Sequence, residues 1–363
     1  MEGRFLPIGI QDFEDLRKRG CIYVDKTAFI YKLAREGKPY FLSRPRRFGK
    51  SLLLSTMEYY FQGRKDLFGG LAIAEKEKDW TEWPVLKISF GLNSYEDNAR
   101  LKARLNAIVS EYEELCGIGR QGDDPAERLA DVIRTAYEKT GKQVVILIDE
   151  YDKPILDALY TDYEEQNRQE LRSFYSPLKD CDKYIRFLFI TGITKVSHVN
   201  IFSGLNQLDD ISLDESYSDL CGISNAELDR YFMPEIEALA VKNGISIDEA
   251  KARLASMYDG YRFTNGVEGV YNPFSLLRCF KQKKFGSYWF ETATPTMLIR
   301  TLEKRPADLL RYTKPLITQE SNFKDYDPDN ANMLPVFYQS GYLTIKDYDG
   351  DSELYTLGIP NRE

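Results

Sequence analysis

The stretch that decides the fold reads Tyr40-Phe41-Leu42-Ser43-Arg44-Pro45-Arg46-Arg47-Phe48-Gly49-Lys50-Ser51. Its last eight residues follow the pattern G-x-x-x-x-G-K-[ST], in which a loop between a strand and a helix surrounds phosphate groups. Arg44 stands where the pattern has its first glycine. The closing Gly49, Lys50 and Ser51 match the pattern. The sequence therefore predicts a phosphate-binding loop (P-loop) with one substituted position.

The residues on either side of this loop supply the context that a P-loop requires. The apolar run 40–43 follows a Gly-Lys-Pro turn and is typical of a buried strand. Apolar residues after the loop recur at helical spacing, which predicts a helix that begins at Lys50; they are Leu52, Leu53, Leu54, Met57, Tyr60 and Phe61. For the loop taken alone, an ordinary Gly-Lys-Ser turn flanked by solvated charges stays open as the alternative.

The loop residues have distinct predicted roles in a nucleotide site. The start of a helix attracts phosphate oxygens through unpaired N–H groups and the positive end of the helix dipole. Lys50 is expected to contact the β- and γ-phosphates and Ser51 to ligate Mg²⁺. Arg46 and Arg47 are candidate sources of transition-state charge. The predicted nucleotide-binding residues are Arg44, Phe48, Gly49, Lys50, Ser51 and Leu52, with Arg262 from a distant part of the chain.

A second strand, 144–148, ends in the adjacent carboxylates Asp149 and Glu150. Its continuous apolar run is typical of a strand covered on both faces, and ligands of open α/β sheets collect at the carboxyl ends of such strands. Asp149 is therefore a candidate magnesium ligand beside Ser51, and Glu150 a candidate to orient or deprotonate the attacking water. The alternative is an acidic turn that caps the helix expected near Asp152.

Strands and helices alternate through the first half of the chain, which predicts an α/β fold with a parallel sheet. The further predicted strands are 85–90, 185–191 and a weaker 208–213, and the predicted helices are 97–116, 125–140 and 163–179. A capping box of Ser94 and Asp97 is expected to begin the first of these helices. Thr191, at the tip of its strand, is a candidate sensor of the γ-phosphate, or else a hydroxyl that bonds its own turn.

The second half predicts a different organisation. Helices are expected at 224–240 and 246–257 and after Asn272-Pro273, and they are interpreted as a helical lid over the nucleotide. Arg262 could reach the phosphates from this lid, or pack on a neighbouring carboxylate. A helix at 331–343 followed by a β-hairpin with an acidic turn predicts a winged-helix-like unit that packs on protein. The expected domains are 1–215, 216–305 and 306–363.

Composition narrows the function classes. The chain has 363 residues, a net charge of −8 and a pI near 5.1, which argues against direct nucleic-acid binding by its surface as a whole. Five scattered cysteines without a C-x-x-C pair, and no apolar run approaching 18 residues, predict a cytoplasmic protein without a membrane span. The single histidine, His198, argues against a His-rich metal site and is interpreted as a surface or loop residue.

Nine segments spread along the chain form a distinctive set: PIGIQDF at 7–13, YVDKT at 23–27, FLSRPRRFGKS at 41–51, LIDEYD at 147–152, TGITKVS at 191–197, LCG at 220–222, YDGYRF at 258–263, YNPFS at 271–275 and GYLTI at 341–345. Together they closely resemble a family of predicted AAA-type ATPases that is abundant in gut anaerobes, and the resemblance spans essentially the whole chain. It implies that the loop without its first glycine is a family trait, and that the chain is similar to signal-transducing P-loop ATPases. It also implies a C-terminal PD-(D/E)XK nuclease-like domain, which these residues lack, so a truncated or short form is expected.

Three functions stay open at this point. The first is a magnesium-dependent ATPase that binds ATP and ADP and drives a conformational switch. The second is a slow or non-hydrolysing nucleotide sensor or scaffold for a partner, a second copy of the chain or a nuclease-like domain. The third, direct action on nucleic acid, is disfavoured by the acidic charge.

Overall fold

A computed structural model of the chain describes residues 5–363 except 38, 121, 196–201, 203–207, 290–295, 307, 328–329 and 331. The interpretation of His198 lies outside the described residues. Among the residues described, no helix is both long enough and apolar enough to cross a membrane.

A five-stranded sheet forms the centre of the molecule, and all its strand pairs are parallel. The order across the sheet is β2-β3-β4-β1-β5, and the strands are β1 (Tyr40–Ser43), β2 (Val85–Ser89), β3 (Val144–Asp149), β4 (Ile185–Gly192) and β5 (Asp209–Asp210). This arrangement confirms the predicted α/β fold with a parallel sheet. The carboxyl ends of β1 and β3 flank the end of β4, where Ser43 pairs with Gly192 and Ile148 with Ile190.

Helices flank the sheet and fill the second half of the chain. Their bounds are α1 (Phe13–Lys18), α2 (Thr27–Glu36), α3 (Lys50–Phe61), α4 (Ala72–Lys76), α5 (Asn98–Cys116), α6 (Pro125–Thr140), α7 (Lys153–Leu156), α8 (Glu164–Tyr175), α9 (Pro177–Asp180), α10 (Asn225–Asn243), α11 (Ile247–Tyr258), α12 (Pro273–Gln282), α13 (Thr296–Lys304) and α14 (Leu334–Gln339). Helix α3 begins at Lys50 as predicted, and the capping box of Ser224 and Glu227 begins α10.

Three local expectations were wrong in detail. Asp97 alone caps α5, because its carboxylate accepts the Arg100 N–H, so the box with Ser94 does not form. The helix predicted at 163–179 is divided into α8 and α9, since Pro177 has no N–H to continue the hydrogen-bond ladder. The weak strand at 208–213 shortens to the two residues of β5, followed by a 3₁₀ turn over Ile211–Leu213.

The C-terminal part contains a small antiparallel sheet ordered β6-β8-β7. Its strands are β6 (Leu316–Thr318), β7 (Thr344–Asp349) and β8 (Leu354–Gly358). The hairpin of β7 and β8 agrees with the sequence, whereas β6 was not predicted. The helix expected at 331–343 is only the six residues of α14, because Gly341 adopts a left-handed φ of 89° that ends the helical path.

The apolar core follows the two faces of the parallel sheet. β3 is buried along its whole length, and alternate residues face opposite clusters: Ile146 on one side and Leu147 on the other. Val336 and Phe337 of α14 belong to the first of these clusters. The C-terminal residues therefore pack directly on the layer that supports the parallel sheet.

Candidate functional site

Residues 44–49 form the loop between β1 and α3, here called the 44–49 loop. Gly49 precedes the helix with φ of 94°, a left-handed conformation that glycine adopts without strain. No side chain of the described residues caps α3, so the N–H groups of its first turn stay available to a ligand. Arg47 also has a positive φ, 71°, which costs an arginine about 1 kcal/mol. Such strain concentrates at functional sites.

Lys50 closes the loop on itself. Its Nζ donates hydrogen bonds to the carbonyl oxygens of Arg44, at 2.8 Å, and Pro45, at 3.0 Å. The side chain is buried, and this burial lowers the pKa of Lys50, with the negative charge of Asp149 acting in the opposite direction. An ammonium group has three donors, so Lys50 keeps one for a ligand in addition to these two bonds.

The two carboxylates after β3 differ in their surroundings. Asp149 is 5% exposed, and its Oδ1 has no hydrogen-bond partner among the described residues. Glu150 adopts a left-handed φ of 54°, and its side chain lies so close to Gly91 that a Cβ there would be 3.2 Å from Oε2. Burial, then the charges of Asp149 and Asp152, raise the pKa of Glu150. Both carboxylates therefore present oxygen atoms where positive charge would be stabilised.

Asp152 is a third carboxylate at this edge, and sequence reasoning gave it no role in the site. Its Oδ2 accepts hydrogen bonds from Ile193 N (3.0 Å), Thr194 N (2.7 Å) and Thr194 Oγ1 (2.7 Å). Burial raises the pKa of Asp152, against these hydrogen bonds. Gly192 makes the approach possible, because a Cβ there would lie 2.6 Å from Asp152 Oδ1. The signal in the sequence was the LIDEYD segment, which places Asp152 three residues after Asp149.

A cavity of about 510 Å³ lies over these groups. The 44–49 loop, the start of α3 and the turn after β3 supply many of the charged side chains in its lining, including Arg46, Lys50, Glu150 and Asp152. The apolar part comes from the N-terminal segment 7–11, from residues 22–24 and from the helices of the second half, and it includes Ile8, Ile10, Val24, Ile223, Phe232 and Leu277. Several of these segments carry the family resemblance, but the sequence did not predict that they take part in the site.

Most of the predicted site residues meet at this cavity. Its lining includes Arg46, Arg47, Phe48, Gly49, Lys50, Ser51, Leu52 and Glu150. The guanidinium of Arg47 lies over the ring of Phe274 in α12, 4.8 Å from its centroid. A helix of the second half therefore contacts the loop.

Four predicted residues are absent from this lining. Asp149 is buried and its charge acts on Lys50, whereas the other three contact other parts of the chain. The buried guanidinium of Arg44 donates to the carbonyl oxygens of Ser43, Ser212 and Tyr217, away from the lining. Thr191 donates from Oγ1 to the carbonyl of Leu42 on the adjacent strand, at 2.7 Å. Arg262 donates from Nη1 to the Lys346 carbonyl on β7, at 3.0 Å. The structure therefore does not bring these three side chains into the cavity.

A largely buried ion pair joins the N-terminal part of the chain to the second half beside the cavity. Lys26 Nζ lies 2.6 Å and 2.7 Å from the two carboxylate oxygens of Glu227, and it also donates to the carbonyl of Asp219 at 2.6 Å. Glu227 is in the first turn of α10, and Lys26 lines the cavity. Separating a buried pair of this kind is costly, so it holds the two parts together around the site.

Comparison with known proteins places this arrangement in a class. The model of the family described as "Predicted AAA-ATPase" matches residues 7–202, which include the 44–49 loop, α3 and the carboxylates after β3. The match covers more than half of the chain, and the chain belongs to this family. Membership associates it with nucleotide binding. The match begins at Pro7, so it also includes the N-terminal segment that lines the cavity.

A second comparison gives a relative that aligns with the whole of this chain. The protein of Azotobacter chroococcum mcd 1 described as "Uncharacterized protein in vnfD 5'region" is 40% identical over 368 residues. The alignment covers 100% of this chain and 69% of the relative.

Replacing Gly192 by alanine tests the packing of Asp152. We expect Gly192→Ala to lower the free energy of unfolding by about 1–3 kcal/mol, because the new methyl group overlaps the Asp152 carboxylate. Gly69→Ala is the matched control, since a Cβ at Gly69 meets no atom within 4 Å. Urea unfolding of both variants measures the difference. Equal stability of the two variants would contradict the close approach of Asp152.

Proposed function

We propose that the protein binds ATP at this cavity and hydrolyses it with Mg²⁺ to drive a conformational switch. The observation that carries the proposal is the combination of an uncapped helix start, a buried lysine and an unpartnered Asp149 oxygen at one sheet edge. Phosphate needs the first two features, and a divalent cation needs the third. In this proposal the 44–49 loop is a P-loop and the end of β3 supplies its acidic partner.

The phosphate groups would lie against the first turn of α3. The N–H groups from Gly49 to Leu52 and the amine of Lys50 are the proposed donors, assisted by the helix dipole. Lys50 would exchange its bonds to the loop carbonyls for bonds to phosphate oxygens. Arg46 and Arg47 border the same space and are proposed to add positive charge as the transition state forms.

The oxygen atoms present fit magnesium. The Ser51 hydroxyl and the free Oδ1 of Asp149 are hard ligands of the kind this cation prefers, and the buried oxygen otherwise has no partner in the described part of the chain. When bound, Mg²⁺ neutralises charge that develops on the phosphates. Glu150 is proposed to orient and deprotonate the attacking water. Its raised pKa makes it a stronger base than an exposed glutamate.

The apolar part of the lining fits the adenine base. Aliphatic and aromatic side chains from the N-terminal segment and from α10 and α12 offer flat apolar contacts of the kind that bind planar ligands. We assign residues 1–215 to the ATPase domain and 216–305 to a lid. Residues 306–363 are proposed to be a winged-helix-like unit that packs on protein. Arg44, Thr191 and Arg262 are proposed to act indirectly, by bracing the strands and the hairpin that support the site.

The switch is supported by contacts between the loop and the C-terminal part. Trp289 donates from Nε1 to the carbonyl of Arg46 at 3.3 Å. A Cβ on Gly341 would lie 3.0 Å from Pro45, so the backbone after α14 is in close contact with the loop. A change of loop conformation on nucleotide binding would therefore displace these residues.

A slow nucleotide sensor is the second candidate, and the position of Arg47 favours it. The Arg47 guanidinium is engaged with Phe274 and must leave this contact to reach a phosphate. A protein of this kind would hold ATP or ADP and report its presence to a partner, a second copy or a nuclease-like domain. Counting the ATP molecules hydrolysed per protein in an hour distinguishes the two candidates.

Two substitutions separate binding from hydrolysis. We expect Lys50→Ala to weaken ATP binding at least roughly tenfold, since it removes a charge-assisted hydrogen bond. Glu150→Gln should preserve binding and slow hydrolysis by roughly 10²-fold or more, because the general base is lost. Titration calorimetry and phosphate release measure the two effects. Exposed Lys65→Ala and Glu138→Gln are the charge-matched controls. Wild-type binding and turnover in both site variants would overturn the proposal.

The coupling to the C-terminal part has its own test. Trp289→Phe removes the hydrogen bond to the Arg46 carbonyl and keeps an aromatic ring against Tyr342. In the wild type we expect magnesium and nucleotide to change hydrogen exchange in α14, and in Trp289→Phe we expect a smaller change. Trp83→Phe, which lies outside the cavity lining, should behave like the wild type. If nucleotide leaves hydrogen exchange in α14 of the wild type unchanged, the proposed switch is contradicted.

A further inference from the structure

Asp152 is a buried carboxylate, and one of its two oxygens has no hydrogen-bond partner among the described residues. The residue is 1% exposed and lines the cavity, and its Oδ1 has no hydrogen-bond partner within the described ranges. Burying a carboxylate oxygen without a partner is costly in free energy, and folded proteins seldom leave such an atom unsatisfied. A group that enters the cavity can supply the missing partner.

The fold fixes the direction of this oxygen. Three donors from Ile193 and Thr194 bind Oδ2, so the carboxylate cannot rotate without losing several hydrogen bonds. Because Gly192 has no side chain, Asp152 Oδ1 fits against its backbone. The chain therefore holds Oδ1 in a set position, which is how positioning residues at ligand sites are commonly supported.

The charges around Asp152 indicate which kind of group can bind its Oδ1. The phosphates of a nucleotide are anions and would be repelled by Asp152, and the neighbouring Asp149 and Glu150 are also acidic. Lys50, at the start of α3, uses two of its donors on the carbonyls of Arg44 and Pro45, and its third is assigned to phosphate in the proposed site. The partner is therefore a positively charged or strongly donating group that arrives with the nucleotide.

We propose that Asp152 is a positioning residue of the magnesium–nucleotide site. Its free oxygen would accept a hydrogen bond from water held by the cation, while its other oxygen holds Ile193 and Thr194. The inference rests on the proposed function and deepens it. Magnesium usually keeps several of its waters in proteins, and carboxylates that bind such waters strengthen metal binding.

The same contact extends beyond the cavity. The turn that Asp152 holds continues into Lys195, whose N–H donates to Gln339 Oε1 at 3.1 Å and whose carbonyl accepts from Tyr326 N at 2.9 Å. Gln339 is the last residue of α14. Binding of the hydrated cation would therefore be transmitted to the C-terminal part, through Asp152 and the turn at residues 193–195 to Gln339.

The test compares ADP affinity with Mg²⁺ and with EDTA in the wild type and in Asp152→Asn. In EDTA we expect the variant to bind ADP at least as tightly as the wild type, because repulsion of the phosphates is reduced. In Mg²⁺ we expect the gain in affinity to fall by roughly tenfold or more. A purely structural role would weaken both affinities equally. An unchanged magnesium gain in the variant would overturn the inference.

Two further variants make the result specific. Asp157→Asn is the matched control: Asp157 also borders the cavity, but its Oδ2 is already bound to Lys153 Nζ and Tyr95 N. We expect it to keep the magnesium gain. Thr194→Val removes one bond to Asp152 Oδ2 and should reduce the gain by about two- to tenfold, so it serves if Asp152→Asn does not fold. A full gain in Thr194→Val would then count against the inference.

The wild-type result distinguishes a failure of the proposed function from a failure of the proposed role of Asp152. If the wild type binds no ADP, or binds it without any gain from Mg²⁺, the proposed function fails and the role of Asp152 fails with it. If the wild type shows the gain and Asp152→Asn retains it, the role of Asp152 alone is overturned.

Discussion

The parallel pairing of β1, β4 and β3 is the constraint on which the rest of the structure depends. Because parallel strands end at the same edge of a sheet, this pairing brings the loop after β1 and the carboxylates after β3 together although about 100 residues separate them. β4 lies between them and ends in Gly192, where only a residue without a side chain leaves room for Asp152. The apolar runs that bury the strands thus also position the charged site.

The charged groups at this edge of the sheet act on one another electrostatically. Lys50 is buried, and the carboxylates of Asp149, Glu150 and Asp152 act on it to oppose the loss of its proton. The carboxylates outnumber the lysine, and two of them retain a buried oxygen without a partner among the described residues. An excess of buried negative charge is costly without a cation. In the proposed function, a metal that enters together with an anionic ligand would balance this charge.

Much of the fold could be predicted from the sequence because local signals agreed with the tertiary structure. The continuous apolar run of β3 and the capping box of α10 are signals of this kind. β6 escaped prediction because three residues carry too little pattern, and its strand character depends on pairing with β8. In the candidate site, the motif predicts that residues of the 44–49 loop and the start of α3 lie together, and they line one cavity. The side-chain direction of Arg44, and the contribution of residues 7–11, depend on contacts that no local pattern contains.

A crystal structure with Mg²⁺ and a non-hydrolysable ATP analogue tests the central claim most directly, namely that the 44–49 loop and the end of β3 form one nucleotide site. The account predicts phosphate oxygens against the N–H groups at the start of α3 and the cation between Ser51 and Asp149. It also predicts the base among the apolar residues of the N-terminal segment. An analogue bound elsewhere, or bound here without a cation near Asp149, would contradict it.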